Sequence, residues 1–230
     1  MLTLENVAIR QGDFSLRADF TIQAGQRVAV IGRSGAGKST LLSLIAGFFP
    51  PEEGSVLFDG QNMTKAAPGK RPLAMLFQDN NLFPHLSVAQ NVGLGVRPDL
   101  RLNQVQKSLV ANAIERVGLS GLEDRKPAQL SGGQQSRVAL ARILVQDKPL
   151  VLLDEPFAAL GPALKIEMLD LVAEVLEETG AALLMVSHDP QDARRIAPMT
   201  VLVADGVAYA PTETGALLDN PPPALKAYLG

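Results

Sequence analysis

The stretch Gly32-Arg33-Ser34-Gly35-Ala36-Gly37-Lys38-Ser39-Thr40 constrains this chain more than any other. It follows the apolar run Val28-Ala29-Val30-Ile31 and leads into Leu41-Leu42-Ser43-Leu44-Ile45-Ala46. Strand, glycine-rich loop and helix in that order form the context of a phosphate-binding P-loop. Glycines let the backbone curl until successive N–H groups face one anion. The positive end of the following helix adds to that field. Lys38 can reach the β- and γ-phosphates, and Ser39 can offer its hydroxyl to Mg²⁺. Nucleotide binding by Gly32 to Thr40 is therefore the first expectation.

The totals narrow the setting. A chain of 230 residues, 47% of them hydrophobic, can bury a substantial core in one large domain or one domain with an insertion. A net charge of −3 suggests no bulk attraction to nucleic acid or anionic lipid. Without cysteine there is no disulfide framework and no thiolate zinc site. The start, Met1-Leu2-Thr3-Leu4-Glu5-Asn6, lacks the order of a signal peptide, and no apolar run is long enough to span a bilayer. The expectation is a cytosolic protein that works at a membrane only if a partner holds it there.

Residues 1–31 read as strands separated by the turns Gly12-Asp13 and Ala24-Gly25. Ser55 to Phe58, Leu73 to Phe77, Leu150 to Leu153 and Ala181 to Val186 continue the strand pattern, Leu73 to Phe77 as a run buried on both faces and Leu150 to Leu153 with the same buried character. Between about 80 and 145 no strand is expected. Ser87 to Val92, Asn103 to Val117 and Gln134 to Val145 read as helices, a helical insertion in an α/β chain. Leu164, Met168, Leu171, Val172, Val175 and Leu176 share one helix face, with Pro162 near its start and Gly180 after its end. Thr200 to Ala204 and Val207 to Tyr209 suggest a closing hairpin, and the last twenty residues read as a tail.

Ligands of open parallel sheets collect where strands end. Here the strands end in the P-loop, at Gln78, at Asp154-Glu155 and at Ser187-His188. Asp154 is placed to hold Mg²⁺, and Glu155 to orient and deprotonate an attacking water. His188 could hold the γ-phosphate and the water in line with Glu155. The Gln78 amide could coordinate Mg²⁺ or water without adding charge. A second anion site is expected at Leu130-Ser131-Gly132-Gly133-Gln134, where a hydroxyl and two glycines open a helix. In a two-fold dimer each copy could present it to the other's nucleotide.

Taken in order, these segments resemble the ATP-binding subunits of ABC transporters over essentially the whole chain. Gly32 to Thr40 is similar to Walker A, Gln78 to the Q-loop, Leu130 to Gln134 to the signature, and Leu150 to Asp154 to Walker B. Glu155 matches the catalytic acid and His188 the switch histidine. The resemblance implies a P-loop NTPase fold of the α/β class: a core with a parallel sheet, an antiparallel β subdomain and an inserted helical subdomain. Residues 1–79 and 146–230 would form the catalytic core, and about 80–145 the signature subdomain. It also implies a head-to-tail dimer closing on two ATP with Mg²⁺, in which Ser131 and Gly133 contact the partner's nucleotide. That dimer would drive a transmembrane permease from the cytoplasmic face of a bacterial inner membrane.

A finer resemblance, to the ATPase subunits of bacterial thiamine importers, is carried by three segments. These are Ala46-Gly47-Phe48, Leu184 to His188, and the run from Leu76 through Phe83 and on from His85 to Gly95. It implies delivery of cargo by a periplasmic thiamine-binding protein; iron or another small solute is the runner-up cargo. Two positions depart from the family pattern. Gln11 stands where an aromatic usually stacks on adenine, with Phe14 close by, and Ala158-Ala159-Leu160-Gly161 lacks the usual acid, at Gly161. A repair-type ATPase would need a long coiled-coil or zinc insertion between Gln78 and Ser131, and a non-hydrolysing module would not need Lys38, Asp154, Glu155 and His188 together.

Overall fold

The computed structural model describes residues 1–79, 81–158 and 160–229, the side chains of 227–229 excepted. Asn80 and Ala159, which fall in the Gln78 loop and just past Glu155, lie outside the described residues. In chain order the elements are β1 (Leu2–Gln11), β2 (Phe14–Ile22), β3 (Arg27–Ile31), α1 (Lys38–Ala46), β4 (Glu53–Phe58), β5 (Gln61–Asn62), β6 (Leu73–Leu76), α2 (Val88–Val96), α3 (Gln104–Arg116) and α4 (Gly132–Leu144). Then come β7 (Leu150–Asp154), α5 (Pro162–Thr179), β8 (Ala182–Val186), α6 (Pro190–Ile196), β9 (Met199–Ala204), β10 (Val207–Ala208), β11 (Thr212–Glu213), α7 (Thr214–Asp219) and α8 (Pro223–Leu229). They divide into two units. The first comprises Met1–Leu73, Pro149–Asp154 and Gly180–Gly230, the second Ala74–Lys148 and Glu155–Thr179.

The first unit is a mixed sheet. At one side β5, β4, β1 and β2 pair antiparallel. The sequence of β1 explains an irregularity there. Its buried residues change parity, from Leu2 and Leu4 to Val7 and Ile9. A strand keeps one face only at a spacing of two, so an extra residue must be absorbed. The register with both neighbours shifts between Leu4 and Ala8, and Asn6 takes φ 46°. Through β10 the sheet continues to β9, β3, β8 and β7, and within this last group all neighbours run parallel. Every residue of β8, Ala-Leu-Leu-Met-Val, is buried, as a strand covered on both faces requires.

The second unit packs α2, α3 and α4 around Val92, Ile114, Leu119, Val138 and Ala141. Each of these helices opens on the same device, a side chain at the N-cap exchanging hydrogen bonds with a glutamine three residues on. The pairs are Ser87–Gln90, Asn103–Gln106 and Ser131–Gln134. Helix α5 groups with this unit and buries Met168, Leu169, Val172, Val175 and Leu176.

The C-terminal segment differs from the expected tail, since it forms α7 and α8. The Glu213 carboxylate accepts from the backbone of Gly215 and Ala216 to start α7, and Pro223 opens α8 with its φ already set. Leu218 and Leu225 are buried, which ties both helices down.

Candidate nucleotide site

Sheet register puts three strand ends at one level. Val186 of β8 lies opposite Val30 of β3 on one side and opposite Asp154 of β7 on the other. Neighbouring strands are about 4.8 Å apart. The P-loop leaving β3, the Ser187-His188 turn leaving β8 and the Asp154 carboxylate therefore emerge side by side on the carboxyl edge of the first unit.

The P-loop is built around the two ends of Lys38. Its backbone begins α1, and its side chain is 7% exposed. The ammonium donates to the carbonyl oxygens of Gly32 at 2.8 Å and Arg33 at 3.0 Å, so the loop curls round its own lysine. No side chain caps α1. Its N-cap is Gly37 at φ 103°, and a Cβ there would come within 2.5 Å of the Phe14 ring. Only glycine takes this conformation at no cost and admits that ring. Phe14 thus supports the loop from below, and Gln11 is exposed at the end of β1.

Beside the loop, Ser39 donates its hydroxyl to Oδ1 of Asp154 at 2.9 Å, across 115 residues of sequence. Asp154 is 8% exposed. Two oxygen donors this close suit a hard divalent cation, and among the described residues no group of three or more His, Cys, Asp or Glu is placed to hold a metal. That donor set fits Mg²⁺, which takes one or two protein ligands and completes its shell with water and substrate phosphate. Next to it, Ser187 donates to Asp192 at 2.6 Å and accepts from the backbone N–H of Asp189 at 3.0 Å. The turn carrying the exposed His188 is thereby clamped. Asp192 was not legible as part of the site, because in sequence it is one more acid in a polar turn.

The remaining sequence-predicted residues belong to the second unit. Gln78 is exposed just beyond β6. Glu155 follows Asp154 with φ 46°, a left-handed conformation uncommon for a side chain of this size. The loop after Gln78 is held at two points. Arg142, in the last turn of α4, donates to the Asn81 carbonyl at 2.8 Å, and burial lowers its pKa below the usual arginine value. Asn91, wholly buried, accepts from the N–H of Phe83 and donates to the carbonyls of Phe83, Leu86 and Ser87. A lone amide in the apolar stripe of Val88 and Val92 was the available signal for Asn91.

Ser131 is the N-cap of α4. Its Oγ accepts from the Gln134 N–H at 3.3 Å, while the Gln134 side chain accepts from the Ser131 N–H at 2.9 Å. This box draws Gly132 and Gly133 into the first helical turn, ahead of the expected start at Gln134. A Cβ on Gly132 would meet nothing, whereas one on Gly133 would collide with the Leu164 side chain. Gly133 is therefore required by packing within its own unit.

The family model for ABC transporters matches residues 16–158. A thiamine import ATP-binding protein, ThiQ, of Ruegeria sp. (strain TM1040) is 63% identical over 230 residues, the full length of both chains. Its namesake from Cereibacter sphaeroides is 60% identical over 230 residues, again the full length of both. Among solved structures, the dimeric structure of a bacterial ABC transporter cassette superposes with a TM-score of 0.81 at 29% identity, covering 93% of this chain and 99% of that one. The dimeric post-hydrolysis state of an ATP-binding cassette bound to ADP and Pi gives the same values.

Proposed function

The chain belongs to the ABC transporter family, and from that premise we propose that it is the ATP-hydrolysing subunit of a thiamine importer. The observation that carries the ATPase reading is the Ser39–Asp154 contact beside a P-loop curled round Lys38. Support for the cargo comes from the full-length identity to two thiamine import ATP-binding proteins.

In this reading the N–H groups from Gly32 to Thr40 receive the phosphates of ATP. Lys38 moves from the loop's carbonyls to the β- and γ-oxygens, exchanging neutral acceptors for charged ones. Ser39 and Asp154 would hold Mg²⁺, and the Gln78 amide would offer a further oxygen toward the ion or its water. When bound, the ion neutralises charge on the β- and γ-oxygens. Glu155 takes a proton from the attacking water as its oxygen bonds to the γ-phosphorus. The bond to the β-γ bridging oxygen breaks, and ADP leaves with that oxygen. His188, on its clamped turn, hydrogen-bonds the γ-phosphate and keeps water and Glu155 aligned.

The site is completed by a second copy. Ser131 accepts from Gln134, which leaves its hydroxyl proton to donate to a phosphate oxygen. The backbone of Gly132 and Gly133 and the first turn with Gln134 add the positive end of α4. Both cassette structures cited above are dimeric, which favours a head-to-tail dimer here. Among the described residues no helix is long and apolar enough to cross a membrane, so a permease is the partner that would hold the dimer at the cytoplasmic face of the inner membrane. A periplasmic thiamine-binding protein would deliver cargo to that permease. The test is to co-purify the chain with its membrane subunit and add thiamine-loaded binding protein. Stimulated ATP hydrolysis is expected; stimulation by an iron-loaded binding protein in its place would redirect the cargo.

A further inference from the structure

Arg71 is 2% exposed, and none of the site chemistry described so far uses it. Its guanidinium makes four hydrogen bonds to carbonyls. Nη1 donates to Leu44 at 3.0 Å and Ile45 at 2.8 Å, Nη2 to Thr64 at 3.0 Å, and Nε to Ala66 at 3.1 Å. The first two carbonyls lie in the last turn of α1, the helix whose first residues are Lys38 and Ser39. The other two lie in the loop between β5 and β6.

A helix ends with carbonyls that have no partner in the helix. At α1 the Ser43 carbonyl is met by the Phe48 N–H and that of Leu44 by the Gly47 N–H. Ile45 depends on Arg71. The last turn of α1 contains no basic residue, so Arg71 supplies from outside the positive charge that the negative end of the helix favours. Burial lowers its pKa from the usual arginine value, and a guanidinium still keeps its proton there. Space has been cleared for it, since a Cβ on Gly47, at φ 87°, would run into Nε of Arg71 and the Ala66 carbonyl. The loop end is fixed in turn, because the Thr64 hydroxyl accepts from the N–H of Val56 in β4 at 2.9 Å.

We propose that Arg71 is a positioning residue of the nucleotide site. It anchors the far end of α1 to the 64–66 loop and so sets where Lys38 and Ser39 stand when phosphate arrives. The helix has only nine residues, about 13 Å of rigid rod, so displacement of one end is felt at the other. The proposal rests on ATP binding at the P-loop. Arg71 holds the cradle and touches no reacting atom, so its loss should weaken ATP and ADP alike and should raise KM more than it lowers kcat.

The test titrates the full chain with fluorescent ATP and ADP analogues, with a melting curve for each protein. Arg71→Lys keeps the charge and loses the fork that reaches four carbonyls. Its Kd for both nucleotides is expected to rise about tenfold, with kcat at saturating ATP within about threefold of the parent. A folded Arg71→Lys with a lowered melting point but parental Kd would reduce Arg71 to a structural clamp and overturn the proposal. So would a loss confined to kcat. The parent and Lys38→Ala bracket the scale: failure of the parent to bind ATP would sink the P-loop reading and leave Arg71 out of it. Hydrogen exchange of the unmodified protein gives a measurement that needs no variant. Nucleotide is expected to slow exchange at 64–67, beyond α1, as well as at 33–40; protection confined to 33–46 would overturn the linkage.

Discussion

Two glycine-rich turns in this chain lead into helices, and they are built by opposite means. At the P-loop the N-cap is a glycine in a left-handed conformation, no side chain caps α1, and a buried lysine fills the curl. At the second turn the N-cap is an extended serine in a complete capping box, and neither Gly132 nor Gly133 takes a positive φ. A loop of the first kind surrounds an anion by itself. A turn of the second kind is an ordinary capped helix with one face left open, and it can close over a phosphate only if something else supplies the other walls. The P-loop should therefore work in a single copy and the capped turn only in trans.

Lys38→Ala breaks the comparison at its stronger end. It removes the charged donor from the enclosing loop, and charge-assisted bonds are worth about 1.5–3 kcal/mol each. ATP affinity of the isolated chain should fall on the order of 100-fold. Ser131→Ala, by contrast, should leave that affinity within about threefold, because in one copy Ser131 serves only its own helix. Isothermal titration of both variants at low protein concentration checks the pair. Equal losses would mean that the capped turn binds the nucleotide of its own chain.

Glu155→Gln separates binding from turnover. Removing a general base costs about 10²–10⁴-fold in rate while the amide keeps the shape of the side chain. Steady-state hydrolysis should fall by that order, and light scattering with ATP and Mg²⁺ should show a trapped dimer. A monomer under those conditions would remove the trans role from Ser131 to Gln134, and with it the reason for an open capped turn.

Gly133→Ala and Gly132→Ala sharpen the contrast inside the second turn. Overpacking a methyl against Leu164 costs about 1–3 kcal/mol, whereas Gly132 has open space. Hydrolysis by the dimer should fall about tenfold in Gly133→Ala and less than about twofold in Gly132→Ala. Restoration of the rate in Gly133→Ala/Leu164→Ala would assign the effect to packing of α4 on α5.

Legibility in the sequence divides along the same line. The P-loop, the buried strands and the acid after β7 could be read because each has a local pattern: a glycine spacing, an apolar run, an abrupt polar stop. The three capping boxes were also local, yet the helical run was expected only from Gln134, because glycine says nothing about which side of a helix start it occupies. What could not be read is long-range. Ser39 and Asp154 could both be assigned to one ion from their local patterns, and they meet across 115 residues, whereas nothing local says that Arg71 finds Leu44 and Ile45 across 27 and 26. In the sequence Gly69-Lys70-Arg71-Pro72 is a basic turn, and its burial follows only from folding. The C-terminal helices were missed for a related reason, since three consecutive prolines mark a break but do not say that Leu225 beyond them finds a buried place.

The smallest expected effect lies at Gly161, the residue before Pro162 at the start of α5. Its carbonyl accepts from the Lys165 N–H at 2.9 Å, which makes it the N-cap, and a Cβ there would meet nothing. Gly161→Asp would give α5 the side-chain cap it lacks at that position without displacing a neighbour. Glycine is only a few tenths of a kcal/mol worse than aspartate as an N-cap, so the melting point should rise by about 1 °C. The resemblance implies that an acid at this position bridges the two sites of a dimer, so cooperativity of ATP hydrolysis in the assembled transporter should increase. The two readouts are independent. A raised melting point with an unchanged Hill coefficient would make position 161 a helix cap alone. The open turn at Ser131 would then remain the chain's contribution to its partner's site.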